Sequence, residues 1–143
     1  MVLPDVNLLI HAHNSDSPVH VQAKNCWDTC LAGSEGVGLA WVTLLGFIRI
    51  ITHPRILKAP LHVQEVNKRL DTWLELPHVH IPQPSDRHFE RLRTTLDQLG
   101  TAGNLTTNAH LATLAIERGY TLYSPDQDFG RFKGLKWVNP LKP

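Results

Sequence analysis

Four oxygen-bearing side chains stand where a metal-assisted hydrolase would need them. Asp5 directly follows the apolar run "MVLP", Asn108 lies in "LTTNAHLA", and Asp126 and Asp128 lie in "LYSPDQDF". In a parallel α/β sheet, ligands collect beyond the carboxyl ends of the strands. Asp5 and Asp126 reach one rim if their strands are neighbours. Asn108 falls in the first turn of the helix that leads into the second of those strands, so it can point at the same place. Carboxylates a few ångströms apart repel and raise one another's pKa, so such a cluster calls for a cation or a shared proton. Mg²⁺ or Mn²⁺ suits it best, because these ions seek oxygen and are held by a few carboxylates with several waters retained. An ion of this kind polarises a phosphoryl oxygen and supplies hydroxide for attack on a phosphodiester.

Each residue also has a plainer reading. An Asp at a strand end is a common turn former, Asp128 can cap its loop, and Asn108 can be a spacer or an ordinary polar residue at a helix start. Only the combination of Asp5, position 108 and Asp126 points to shared chemistry. Competing machinery is thin. Ser124 has no evident His partner, and neither GxSxG, a Walker glycine loop nor HExxH occurs. Thr43 and Ser124 are possible hydroxyl ligands of metal water. The nine histidines are scattered, and His53 and His110 read more readily as packing or surface residues than as proton donors. Cys26 and Cys30, one helical turn apart and alone in the chain, read as reduced thiols rather than a zinc site.

The elements that must position these groups follow from periodicity. "VLPD" reads as a first strand with pairing limited by Pro4. A short helix follows over "NLLIHAH", and a second covers 19–32 with Val21, Trp27, Cys30 and Leu31 inward. "VGLA" is the second strand. The stretch from Thr43 to Ile51 is apolar nearly all round, so a buried helix is expected there, with Trp41 in the core. Arg49, set among those apolar neighbours, should then find an acidic partner or an RNA phosphate. Residues 62–76 form an amphipathic helix through Val63, Val66, Leu70, Trp73 and Leu74. "HVHIP" is a strand. A helix over 86–99 should be capped by Ser85 and should bury Phe89, Leu92, Leu96 and Leu99. Residues 105–118 form the helix carrying Asn108, with Leu111, Leu114, Ala115 and Ile116 inward. "YTLYS" and a final edge strand "LKWVNP" complete an alternating α/β order with a largely parallel sheet.

Composition bounds the rest. The 143 residues suffice for one domain with its own core, and 42% hydrophobic with 19% charged residues is ordinary for a soluble protein. No apolar run reaches membrane-spanning length, and the N-terminus lacks the basic segment of a signal peptide, so a cytoplasmic location is expected. The formal net charge of +1 announces no nucleic-acid binder. Basic residues do gather at 49–69, where Arg49, Arg55, Lys58, Lys68 and Arg69 face only Glu65. That patch reads as a solvated helix surface or as a phosphate-facing one.

The chain resembles the PIN-domain family, and specifically the VapC-like toxins of bacterial toxin–antitoxin pairs. The resemblance runs in order through "LPDVNLLIHAHN", "GLAWVTLLGFIRIITHPRIL", "GNLTTNAHLATLAIERG" and "LYSPDQDFGRFKGLKWVNPL". It implies a three-layer α/β/α domain over residues 1–143 with a central, mainly parallel sheet. It also implies an Mg²⁺- or Mn²⁺-dependent endoribonuclease, homodimerisation and neutralisation by a cognate VapB-like antitoxin. Asp5 would be the first metal-binding acid, Asp126 a later one and Asp128 an accessory. The dimer would form a groove for RNA, lined by residues such as Arg49 and Arg55. Two positions depart from the family pattern. Many members carry a Glu in the helix after the second strand, where this chain has Gly46, and the usual "DAHLA" reads Asn108-Ala109-His110-Leu111-Ala112. An amide oxygen can still ligate, but the charge and the general-base capacity are gone. The expectation is a weakened nuclease, with a silent RNA- or antitoxin-binding module as the alternative.

Overall fold

Strands of two or three residues can form a sheet only if longer elements hold them in register, and here six helices do so. A computed structural model describes residues 1–141 of the chain. The order is β1 (Val2–Pro4), α1 (Val6–His13), α2 (His20–Ala32), β2 (Val37–Gly38), α3 (Trp41–Ile51), α4 (Val63–Leu74), β3 (Val79–His80), α5 (His88–Leu99), α6 (Thr106–Arg118), β4 (Thr121–Tyr123) and β5 (Lys136–Val138). Two 3₁₀ turns, Gly103–Leu105 and Gln127–Arg131, precede α6 and follow β4. The strands lie in the order β3-β2-β1-β4-β5, every neighbouring pair parallel. Parallel pairing demands crossovers, which the intervening helices supply.

The sheet separates two apolar layers. On one face Leu8, Leu9, Trp27, Phe47, Val66 and Trp73 pack together from α1 to α4. Trp73 is the hub, with its ring 5.1 Å from Trp27 and 5.3 Å from Phe47. On the other face Leu111, Leu114, Phe129 and Phe132 form the core, with Leu92, Leu96 and Leu99 of α5 partly buried against it. This is the expected three-layer arrangement. β1 is the strand from which the order runs both ways, so the carboxyl ends of β1 and β4 flank a switch point. Pro4 is tolerated in this central strand because it is the last residue, and the next amide, Asp5 N–H, donates to the Tyr123 carbonyl at 2.9 Å.

Several side chains expected inward face solvent. Val21, Val63, Phe89 and Ile116 are exposed, and Trp41 is 53% exposed. Helix α3 is therefore not buried all round. Thr43, Leu44, Phe47 and Ile51 face the core, whereas Trp41 and Leu45 lie outside it. The periodicity was too apolar to show which side faced the sheet. Ser85 does not cap α5. That helix begins at His88 with Arg87 preceding it, and Ser85 binds Glu117 instead. No residue of α5 is fully buried. Gly119, at φ 73°, ends α6 in the left-handed conformation and turns the chain into β4.

Candidate metal site at the strand switch point

Asp5 sits where β1 ends and α1 begins. Its Oδ1 accepts the Val6 N–H at 2.7 Å, so the carboxylate caps the helix and is fixed by it. Its Oδ2 accepts from Ser124 Oγ–H at 2.8 Å. Ser124 is fully buried just beyond β4, and its Oγ also accepts the Asp126 N–H at 3.0 Å. One hydroxyl thus ties the two acid-bearing segments together across 119 residues of chain. Trp137 of β5 donates from Nε1 to the Ser124 carbonyl at 2.9 Å and holds that loop on the sheet.

Asp126 caps the 3₁₀ turn that follows, its Oδ1 accepting the Asp128 N–H at 2.9 Å. Its Oδ2 accepts from the Asn108 side-chain amide at 3.1 Å. Three distant segments therefore meet as the strand-end argument expects: Asp5, Asp126 and Asn108 share one rim. Asp128 is at the edge of the cluster, with its side chain exposed.

The electrostatics of the pair are unbalanced. Burial pushes the Asp5 carboxyl above its ordinary value, and the nearby Asp126 pushes it the same way, against the bonds from Ser124 and Val6. Among the described residues neither Asp5 nor Asp126 belongs to an ion pair. Among the described residues no group of three or more His, Cys, Asp or Glu side chains is placed to hold a metal ion, and the side chain that meets Asp126 here is the Asn108 amide. The donor set still fits a hard divalent cation. It is all oxygen, it carries two carboxylates without a countercharge, and Asn108 can offer its amide oxygen by turning over at the cost of its bond to Asp126.

Position 46 also faces this corner. A Cβ on Gly46 would lie 3.3 Å from Val6 Cγ2, beside Asp5. Close packing of α3 on α1 leaves no room for a side chain at position 46 unless Val6 shifts. Thr43, one turn earlier, is buried and donates Oγ–H to the Pro4 carbonyl at 3.4 Å, so it braces the strand end rather than the acids directly.

The two arginines assigned to substrate are not gathered here. Arg49 is exposed and has no ion pair among the described residues, so the expectation of a buried, partnered arginine is overturned. It lies about 9 Å along α3 from Thr43, at 1.5 Å per residue. Arg55 is exposed in the turn beyond. His110 points away from the acids and into a network with His88 and Glu117. What residue-by-residue reading undervalued is Ser124. Its signature was present, because a serine two residues before an Asp commonly binds that residue's N–H.

No family model matches the chain. Curated relatives do. Ribonuclease VapC33 of Mycobacterium tuberculosis is 39% identical over 142 residues, covering 99% of each chain. Ribonuclease VapC37 of the same organism is 37% identical over 140 residues, covering 98% of this chain and 97% of its own. Among solved structures, VapBC2 of Rickettsia felis, bound to a DNA fragment from its promoter, superposes with a TM-score of 0.67 at 20% identity, covering 97% and 98% of the two chains. The structural likeness carries the α/β/α PIN fold, and the full-length identity carries the family: the chain belongs to the VapC ribonucleases of toxin–antitoxin systems.

Proposed function

We propose that the chain is a divalent-metal-dependent endoribonuclease toxin whose turnover is lowered by Asn108. The observation that supports this best is the pair Asp5–Asp126, joined through Ser124 and lacking a countercharge. Asp5, Asp126 and the Asn108 oxygen would hold Mg²⁺ or Mn²⁺, with Asp128 beside them. When bound, such an ion lowers the pKa of water and polarises a phosphoryl oxygen. The chain's own part is positional. Ser124 and the Val6 amide fix Asp5 in one rotamer, and the Asp128 amide fixes Asp126. Burial of Asp5 keeps bulk water from screening it. Asn108 supplies neither charge nor a base, so the proton of an attacking water must pass to Asp126, Asp128 or solvent.

A VapB-like antitoxin is the natural partner, and a homodimer would place two such rims near each other. Among the described residues no helix is long and apolar enough to cross a membrane. A second reading has its own observation. The Asn108 amide already donates to Asp126, which suits a silent module that binds RNA or antitoxin without cutting. Incubation with a structured RNA in Mg²⁺ tests the first reading. Slow cleavage that EDTA and Asp5→Asn both abolish supports it, and cleavage that survives Asp5→Asn rules the site out.

A further inference from the structure

Outside the acid site, the described surface carries a second concentration of unpaired charge. A trough of about 410 Å³ runs between α5 and α6, and Arg91, Thr94, Thr113 and Lys133 line it. It continues into a narrower neck at Thr95 and Leu99, where Arg131 joins Lys133. Arg91, Arg131 and Lys133 are exposed, and none is in an ion pair among the described residues. Arg87, at the far end, is already paired with Glu90 at 3.1 Å. Three free cations thus converge from two elements distant in sequence.

The loop that carries Arg131 and Lys133 and the helix α6 that floors the trough both lead from the acid cluster. Arg91 reaches the trough from α5, which packs on α6. Arg131 ends the 3₁₀ turn that Asp126 caps. At about 2 Å of rise per residue it stands roughly 10 Å from Asp126. Thr113, in the trough floor, is five residues beyond Asn108 on α6, or about 7.5 Å along the helix. Two independent rulers therefore place the trough one short step from the acids. Arg49 stands a similar helical distance along α3 from Thr43, but neither it nor Arg55 lines the trough or its neck.

We infer that the trough carrying Arg91, Arg131 and Lys133 is a track for the phosphates of single-stranded RNA on one side of the cleavage position. This rests on the ribonuclease reading and adds to it the surface that holds the substrate. An RNA strand occupied at the acid rim carries its charge continuously, so cations a short step away are reached without bending it back. The exposed Arg131 and Lys133 belong to the same loop as Asp126 and Asp128, which couples phosphate capture to the placement of the acids. The trough is lined by threonine hydroxyls and cation stems together with the exposed Ile116, and its unpaired positive charge favours a phosphate chain over an apolar protein face.

Binding of a fluorescein-labelled single-stranded RNA to the full chain, followed by anisotropy across a salt series, tests this. The double variant R91E/K133E should bind about tenfold more weakly, with a salt slope lower by about one per cation removed. R49E/R55E should bind as the parent chain does. The opposite pattern, with R91E/K133E unchanged and R49E/R55E weakened, overturns the track while leaving the ribonuclease reading intact. Equal capture of polyglutamate by the trough would mark an unselective cationic patch and also overturn it. Cleavage by Asn108→Asp, measured in parallel, separates the two levels. Full cleavage with unaltered KM in the R91E/K133E background removes the track alone, and absence of both RNA binding and cleavage removes the track together with the reading beneath it.

Discussion

Helix α6 carries an acid network at each end, and the two are satisfied in opposite ways. At its carboxyl end Glu117, with a side chain 1% exposed, accepts from Ser85 N–H at 2.9 Å, from Ser85 Oγ–H at 2.8 Å and from His88 Nδ1 at 2.8 Å. Burial pushes its carboxyl up, but the Ser85 and His88 bonds outweigh that and hold it below the ordinary value. His88 Nε2 continues to His110 Nδ1 at 2.8 Å, so the chain of bonds is closed. At the amino end Asp5 is also buried but is pushed up, with a second acid beside it and no cation among the described residues. A buried carboxylate that the protein itself satisfies is a fastening. One that the protein leaves under-compensated is the receptor that the proposed cation would satisfy.

Breaking the fastening should have the largest effect on stability. Glu117→Ala strands Ser85, His88 and His110 between α5 and α6, and should cost about 3 kcal/mol in urea denaturation. Since α5 buries no residue fully, the loss should appear first as faster hydrogen exchange in α5. Breaking the receptor should act the other way. Asp5→Asn keeps the shape, removes the under-compensated charge, and should stabilise the chain in EDTA by about 1 kcal/mol while erasing any Mg²⁺-induced rise in Tm. A destabilised Asp5→Asn would show that the carboxylate is already satisfied. Restoring the acid sharpens the contrast: Asn108→Asp trades the 3.1 Å bond to Asp126 for repulsion. It should cost about 1 kcal/mol without metal and recover it with Mg²⁺.

The two ends also differ in acid. Burial holds His110 below its ordinary 6.5, with His88 adding to this, so its neutral form is favoured in the fold. The stability it contributes is complete above pH 6.5 and falls as protons bind below it. Glu117, also lowered, contributes above its ordinary 4.5 and loses that contribution as pH drops through its lower folded value. Asp5, raised, has the opposite sign: its cost is relieved as pH falls. A Tm profile in EDTA should therefore decline from pH 6.5 downward, and His110→Gln should flatten the first part of that decline by a few degrees. An unchanged profile would remove His110 from the network's titration.

Much of this was legible beforehand because it depends on strand ends and helix starts. Asp5, Asn108 and Asp126 could be placed on one rim from alternation alone, since parallel strands share an orientation. The Ser85–Glu117–His88–His110 network could not, because its members come from a loop and two crossing helices whose angle no local pattern encodes. Ser85 looked like a cap for the same reason: the residue type suited both roles, and only the tertiary position of Glu117 decided between them. Trp41 and Arg49 were misplaced together. An almost wholly apolar helix gives no polar face by which to orient it, so the exposed side had to be learned from the fold. The cations at 131 and 133 were hidden by the near-neutral total, which averages a local excess away.

The central claim is that the rim is a cation receptor weakened by one missing charge. RNA cleavage by Asn108→Asp, compared with the parent chain at saturating Mg²⁺, tests it most directly. The account predicts a gain of at least about tenfold in kcat/KM that EDTA abolishes. Equal rates for the two chains, with Asn108→Asp folded and binding RNA, would contradict it.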